Sequence, residues 1–414
     1  MIKKIKSMFV IVCLVLTMVS CQTADILTGA TTPDKDWDLI TESAKGTIIN
    51  LYTTDSDESM RAWLSSKFYK TLKETYDIEL NVKILSFEDI MYTLEMDALN
   101  EVKDGSMDLL IIRDDEFRRL KENDFLYDQI ADKMPNLEAN INLLDLDVST
   151  EHGEPLDNFA VAFSREQFVL VFDEDELEIY PTDATELLEF IKDNPNTFTY
   201  PNPMTDSIGS EFIRTIIFEI IGQEDMERLY TETIGETELK ALIQPALDYL
   251  VSLDSYILKD EGDYFKSIDN VNEYFVSGDL YFSMTDDFAY TTDGIKDELY
   301  PDGGRSFIFS NGTLMDTNYL VVPMNASNKT GAIVAINELI SLKMQLDKYI
   351  PSNWGSLPIL ELNLMSDSDA EKFKKVSVKR NTVRVEELAL NRYSELPMTV
   401  IEMINTLWDQ DVNQ

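Results

Sequence analysis

The sequence predicts two α/β lobes closing on a cleft between them, and three observations carry that expectation. Strands alternate with helices from Gly46 onward. Two strands follow one another without a helix over 160–173, and a second alternating set of helices and strands begins after that point. Strand–helix–strand repetition marks βαβ units, so each lobe is expected to be a mainly parallel sheet flanked by helices. A helix-free pair of strands in mid-chain is the simplest passage from one such sheet to the next.

The elements follow in order. T-I-I-N-L-Y-T-T (47–54) reads as a buried strand, and the segment after it sets Ala62, Leu64, Phe68 and Leu72 at near-helical spacing. I-E-L-N-V-K-I-L (78–85) alternates as a strand, with F-E-D-I-M-Y-T-L-E-M-D-A-L following as a helix. S-M-D-L-L-I-I-R (106–113) is a third strand, and D-D-E-F-R-R-L-K-E opens the next helix. A-V-A-F-S-R-E-Q-F-V-L-V-F-D (160–173) supplies the first crossing. Helices are then expected near 183–193, from Ser207 to Gly222, and near 237–253 and 266–277, before the strand D-L-Y-F-S-M-T (279–285). T-N-Y-L-V-V-P-M (317–324) returns the chain to the first lobe. The helix after it sets Ala332, Ala335, Ile336, Leu339 and Ile340 on one face, with Ser327 or Asn328 as its N-cap. No internal repeat is present. Residues 46–162 and 313–350 are assigned to the first lobe, 163–312 and 351–414 to the second.

The N-terminus stands apart from this pattern. Lys3, Lys4 and Lys6 precede an apolar stretch from Met8 to Val19, too short to span a bilayer but suited to an export signal. It ends in L-T-M-V-S-C, which resembles the lipobox of bacterial lipoproteins, with Met18 where leucine is commoner. Residues 1–21 are therefore expected to be a lipoprotein signal peptide, with Cys21 acylated, and the polar residues 22–45 a tether. Cys13 lies within the signal and the lipid consumes Cys21, so the folded body has no thiol and rests on core packing alone.

Of the 414 residues 44% are hydrophobic, enough for a large core. The formal net charge is −42, and losing the three leader lysines takes it to −45. Such a surface repels nucleic acid and anionic headgroups, which excludes nucleic acid as an expected partner.

Four segments in order carry a family resemblance. They are D-L-L-I-I-R-D-D-E-F-R-R-L-K-E-N-D-F-L-Y (108–127), H-G-E-P-L-D-N-F-A-V-A-F-S-R-E-Q-F-V-L-V-F-D (152–173), F-T-Y-P-N-P-M-T-D-S-I-G-S-E-F-I-R (198–214) and N-G-T-L-M-D-T-N-Y-L-V-V-P-M-N-A-S-N-K-T-G-A (311–332). With them the chain resembles bacterial ABC-transporter solute-binding lipoproteins, in the YnjB-type branch of the family 1 extracellular solute-binding proteins. The resemblance implies a type II periplasmic-binding-protein-like fold. It also implies a small solute bound between the lobes, delivery to an ABC permease and its ATPase, a monomer, and a lipid anchor on the extracytoplasmic face of the cell membrane. Near the expected cleft the chain departs from its relatives. T-T-D-S-D-E-S stands where they carry tryptophan and glycines, Ile112, Arg113 and Asp114 where they carry tryptophan, asparagine and glycine, and Phe163-Ser164 in place of a Trp-Gly pair.

Candidate ligand contacts follow from where strands end and lobes cross. Parallel sheets bind ligands beyond the carboxyl ends of their strands, which selects Thr54, Asp55, Asp114 and Asp286. Converging acids of this kind suit a cation such as a polyamine or the thiazolium of thiamine. The loop from Tyr200 to Ser210 is stiffened by Pro201 and Pro203 and opens a helix. Tyr200 and Asn202 are expected to touch ligand, and Ser207, Gly209 and Ser210 to offer N–H groups to a phosphate or carboxylate. The alternative is that Asp206 or Ser207 caps the helix and Tyr200 packs inside the lobe. Phe163 and Ser164 at the first crossing, and Asn318 and Tyr319 at the second, complete the set.

Enzyme chemistry finds no motif. His152 is the lone histidine, in an H-G-E-P turn, and no G-x-S-x-G, P-loop or dinucleotide fingerprint occurs. D-E-D-E (173–176) lacks the glycine and spacing of a calcium loop. No catalytic residue, metal ligand or cofactor is therefore expected. A carboxylate-pair hydrolase and a solute-sensing surface lipoprotein are the rival readings.

Overall fold

The computed structural model describes residues 37–413 apart from 55–56, 114, 132–133, 232, 288–289, 297 and 377–380. The signal peptide, Cys21, Asp55 and Asp114 lie outside the described residues, as does most of the proposed tether. Among the described residues no helix is long and apolar enough to cross a membrane.

Two sheets form two lobes. The first is built from β1 (Ile48–Thr53), β2 (Glu79–Ile84), β3 (Leu109–Ile112), β6 (Ala160–Gln167), β10 (Thr313–Val321) and β11 (Leu357–Pro358), in the order β11-β6-β10-β3-β1-β2. β12 (Arg392–Ser394) lies beside the start of β10. β1 runs parallel to both β2 and β3, as the βαβ reading predicts. β10 is antiparallel to β3 and β6, because it re-enters from the other lobe. Ile49, Leu51, Leu109 and Leu110 are wholly buried, the apolar run expected of strands covered on both faces. A short hairpin, β4 (Thr150–Glu151) with β5 (Glu154–Pro155), precedes the crossing.

The second sheet differs in kind from the expectation. β7 (Val169–Asp173) continues directly from β6 and lies between β8 (Phe282–Thr285) and β9 (Gly304–Phe307), antiparallel to both. Its partners arrive after long helical excursions and run back against it, so the sheet of this lobe is antiparallel rather than mainly parallel. The helices Ala184–Asp193, Ser207–Ile221 and Glu236–Asp254 contribute Leu187, Phe212, Ile216 and Leu247 to its core.

Two further boundaries move. Trp37–Ala44, placed in the tether, is a helix that buries Ile40 and Ala44 and packs on the Lys329–Leu339 helix. That helix is buried on nearly every side, not on one face, and Gly331 lets it approach β1: an added Cβ would stand 2.7 Å from Thr47 Oγ1. Trp354, Leu357, Ile359, Phe373 and Leu388 join the core of the first lobe. Chain placed with the second lobe from residue 351 therefore belongs to the first as far as Leu388. The second core takes over at Leu396, followed by the Met398–Asp411 helix, which buries Ile404 and Trp408.

Candidate functional site

Both crossings run through β6 and β10, and their pleat decides what faces the cleft. Side chains alternate along a strand. Ser164 stands opposite Asn318 and Glu166 opposite Asp316, so these four share one face. The register slips between Asn318 and Tyr319, which leaves Phe163 as the extra residue of a bulge. Asn318 is a positioning group: its Nδ2 donates to Glu166 Oε1 at 3.0 Å and to Ser164 Oγ at 3.2 Å.

Four other segments deliver residues to this face. The ends of β1 and β3 are tied together, Glu116 Oε2 accepting from the Arg113 backbone N–H at 3.0 Å and from Thr54 Oγ1 at 3.4 Å. The Arg113 guanidinium reaches to 3.9 Å from Glu166. Asp286 follows β8, and its carbonyl accepts from the Gln167 N–H at 2.9 Å, which places it at the crossing. Glu211 comes from the Ser207–Ile221 helix. It is 9% exposed, and its carboxyl makes no hydrogen bond with any described residue.

The electrostatics of this face are set by its acids and by burial. Burial, and then Asp286, push the Glu166 carboxyl well above the glutamate range, with Arg113 opposing, and Asp287 and Asp316 adding to the rise. Burial and then Asp286 raise Glu211 in the same way. Arg214 works against this rise, and Glu395 and Asp316 add to it. Arg214 is committed elsewhere, pairing with Glu395 at 2.6 Å and donating to Ser210 Oγ. Like charges directly opposite in an antiparallel pair repel, and an unpaired buried carboxylate costs several kcal/mol unless a proton or a cation joins it. Among the described residues no group of three or more acidic, histidine or cysteine side chains is placed to hold a metal ion.

The predicted contacts divide. Ser164, Asn318, Asp286 and Thr54 lie on or beside the acidic face. Phe163 does not reach it. Its ring is fully buried 5.7 Å from that of Trp354, and the buried Lys348 ammonium lies over both rings at 5.5 and 5.3 Å. Tyr319 points to the opposite side, where its hydroxyl donates to Thr150 O at 2.7 Å.

The Tyr200 loop is a correction. Tyr200 is wholly buried, its ring 4.6 Å from Phe212, and its hydroxyl accepts from Trp408 Nε1 at 3.1 Å. It is core, because a ring next to two prolines packs inward more favourably than it stands in water. Asn202 Oδ1 accepts from Met204 N–H at 2.8 Å and so shapes the turn. Asp206, not Ser207, caps the helix: Oδ1 accepts from Ile208 N–H at 2.9 Å and Oδ2 from Ile268 N–H at 2.8 Å. The first of these bonds occupies an N–H of the first turn that an anion would need, and Ser207 itself is exposed. Gly209 is required by packing, since a Cβ there would come 2.1 Å from Pro201 O. Ser210 donates to Asn405 Oδ1 at 2.8 Å and accepts from Arg214, so it is structural too.

Sequence reasoning missed Glu166, Glu211, Asp316 and Arg113. A signal existed for Glu211 and Arg214, two charges three residues apart inside the run I-G-S-E-F-I-R-T-I-I-F. Charges in so apolar a helix either pair or serve a site. For Asp316 none existed, because its position opposite Glu166 depends on the pairing of distant strands.

Comparisons with known proteins agree with this architecture. The chain is 26% identical over 344 residues, 82% of its length and 86% of the relative, to Protein YnjB of Escherichia coli (strain K12). Its fold is that of type II periplasmic binding proteins. It matches the spermidine/putrescine ABC transporter substrate-binding protein PotD of Streptococcus pneumoniae with a TM-score of 0.60 at 11% identity, covering 88% of this chain and 99% of that one. It matches an ABC transporter protein of Clostridium perfringens with a TM-score of 0.58 at 15% identity, covering 88% of this chain and all of the other. No family model matches the chain.

Proposed function

We propose that this chain is the extracytoplasmic solute-binding component of an ABC importer, and that it captures a small cationic solute between its lobes without chemical turnover. The observation that supports the reading is the gathering of acids at the crossings: Glu166 opposite Asp316 in register, Asp286 bonded through its carbonyl to Gln167, and the buried Glu211 carboxyl, which has no hydrogen bond with any described residue. A ligand cation would replace mutual repulsion by attraction and draw the lobes together, since carboxylates from both lobes would share it. Closure about β6–β7 and β9–β10 then presents a shape that a permease can distinguish from the open one. The likeness to solute-binding proteins supports the class, and the spermidine/putrescine carrier among them handles a solute of the proposed charge. Residues 1–21 serve as a lipoprotein signal in this reading. The lipid on Cys21 holds a monomer beside its permease and ATPase, which raises its local concentration there.

A thermal-shift panel on the chain lacking residues 1–21 tests the reading. Ligand at one hundred times its dissociation constant stabilises by about 2.7 kcal/mol, a shift of a few degrees for a protein this size. Spermidine, putrescine or thiamine should raise the melting temperature, while neutral sugars and phosphates leave it unmoved. A shift with a sugar or a phosphate and none with any cation would overturn the charge assignment.

A further inference from the structure

The lobes also meet away from the crossings, at the β4–β5 hairpin. Its tip is His152-Gly153, and both residues have positive φ (44° and 79°), as a two-residue type I′ turn requires. The hairpin is fixed to the first lobe: Glu151 Oε1 accepts from the Phe117 N–H at 3.3 Å, and Lys121 donates to Glu154 Oε1 at 2.7 Å. Its tip reaches the second. His152 Nδ1 donates to Leu396 O at 3.2 Å, and a Cβ on Gly153 would stand 2.8 Å from Pro397 Cγ. Leu396 is wholly buried in the second core, and Glu395 beside it pairs with Arg214 at 2.6 Å. A cavity of about 420 Å³ lies next to the contact, lined by Arg118, Glu122 and Glu154 from the first lobe and by Met398, Thr399 and Glu402 from the second. The tip is therefore a local point of contact beside unfilled space, and not part of a packed core.

The side of the crossing strands on which the tip lies decides its effect. Ser164, Glu166, Asp316 and Asn318 share one face of β6 and β10. The hairpin belongs to the other face, where Tyr319 donates to Thr150 O at 2.7 Å and Arg165 pairs with Asp147 at 2.8 Å. We propose that the His152-Gly153 tip is a clasp on the back of the hinge: it holds the lobes apart on the cleft side, and solute capture must release it. The inference rests on the reading of this chain as a protein that closes about β6 and β10 on its solute. A rotation about strands that narrows the gap on one face widens it on the other. The clasp thus stabilises the open state alone, and binding has to overcome it. Weakening the clasp tightens capture, and making it permanent prevents capture.

The chain lacking residues 1–21 contains no cysteine, so an introduced disulfide tests the clasp directly. A Cβ on Gly153 would lie 3.2 Å from Pro397 Cβ, near the separation of about 3.8 Å that a disulfide spans. Gly153→Cys combined with Pro397→Cys should therefore oxidise readily, read as loss of titratable thiol, and saturating spermidine should slow the pairing. Oxidation should weaken spermidine binding at least about tenfold in calorimetric titration, and reductant should restore it. His152→Ala, which removes the bond to Leu396, should bind spermidine about two- to fivefold more tightly than the parent. Thiols that do not pair, an oxidised variant that binds as well as the reduced one, or an unchanged affinity in His152→Ala would overturn the clasp and leave cation capture standing. No binding by the parent would instead count against the cation reading, and small-angle X-ray scattering then decides the clasp without ligand. His152→Ala and Gly153→Ala, whose Cβ collides with Pro397, should each have a smaller radius of gyration than the parent. An unchanged radius in both would overturn the proposal.

Discussion

Arg165 and Glu166 are adjacent on β6, and the pleat sends them to opposite faces. Arg165 is 4% exposed, yet it is fully answered: Asp147 lies at 2.8 Å, Glu361 at 2.6 Å, and Pro358 O accepts a third bond. Arg392 joins the same cluster at 2.8 Å from Glu361. Burial works against the Glu361 carboxylate, but Arg165 and then Arg392 hold it below its ordinary value. One residue further along, Glu166 has Asn318 for a donor, a distant Arg113, and acids on its other sides. A closed ionic cluster joins pieces of scaffold, as this one ties β6 to the 358–361 segment and to β12. A cluster dominated by acids holds repulsion that a proton or a cation relieves. The comparison teaches that burial of charge by itself does not identify a site, because the buried Arg165 is fully answered by its scaffold.

The largest effect should come from breaking the balanced face. Arg165→Met leaves Asp147 and Glu361 buried without their main partner and should cost about 3–5 kcal/mol in denaturant unfolding. A loss below about 1 kcal/mol would mean that the cluster is looser than its distances imply.

The unbalanced face should respond with the opposite sign. Glu211→Gln should stabilise the ligand-free protein at neutral pH by about 1–2 kcal/mol, since folding no longer has to hold a proton on a buried carboxyl that the unfolded chain releases. The pH dependence follows from the raised carboxyls. Between the unfolded-state value and the raised folded one, the folded protein holds more protons than the unfolded chain, so stability falls as pH rises through that window. Thermal melts of the ligand-free protein should show this decline, and Glu211→Gln should flatten it. A melting temperature that rises with pH there would contradict the assignment.

Two smaller substitutions sharpen the same contrast in the second lobe. Asp206→Ala removes the bonds to Ile208 and Ile268 N–H groups and should cost about 1–2 kcal/mol by urea titration. Tyr200→Phe leaves Trp408 Nε1 without its acceptor and should cost about 1 kcal/mol, with the affinity for spermidine unchanged. A drop in affinity would return the Tyr200 loop to the site.

Much of the fold was legible because its signals are local. The strand T-I-I-N-L-Y-T-T, the helix opening at Ser207 and the helix-free pair at 160–173 appear within a residue or two of their expected places. What escaped depended on pairing. Nothing in D-L-Y-F-S-M-T says that it runs antiparallel to β7, and nothing in residues 351–390 says that Trp354 and Leu388 join the first core. The proposed site was harder still. Ser164, Asn318 and Asp286 were reachable from their place at crossings and strand ends. Tyr200 misled because prolines and aromatics mark a rigid loop without telling which way it faces.

Period and composition were set by the sequence itself: alternating strands and helices, a large apolar core, a strongly acidic composition and a basic then apolar N-terminal stretch all arise from residues near one another in the chain. The tertiary structure alone decided which carboxylates share a face. Glu166 and Asp316 are 150 positions apart and meet only because β6 and β10 pair in one register, and Glu211 comes near them only because its helix packs against β10. Apolar periodicity is a property of a segment, whereas electrostatic imbalance is a property of a place, and the place exists only after distant strands have come together.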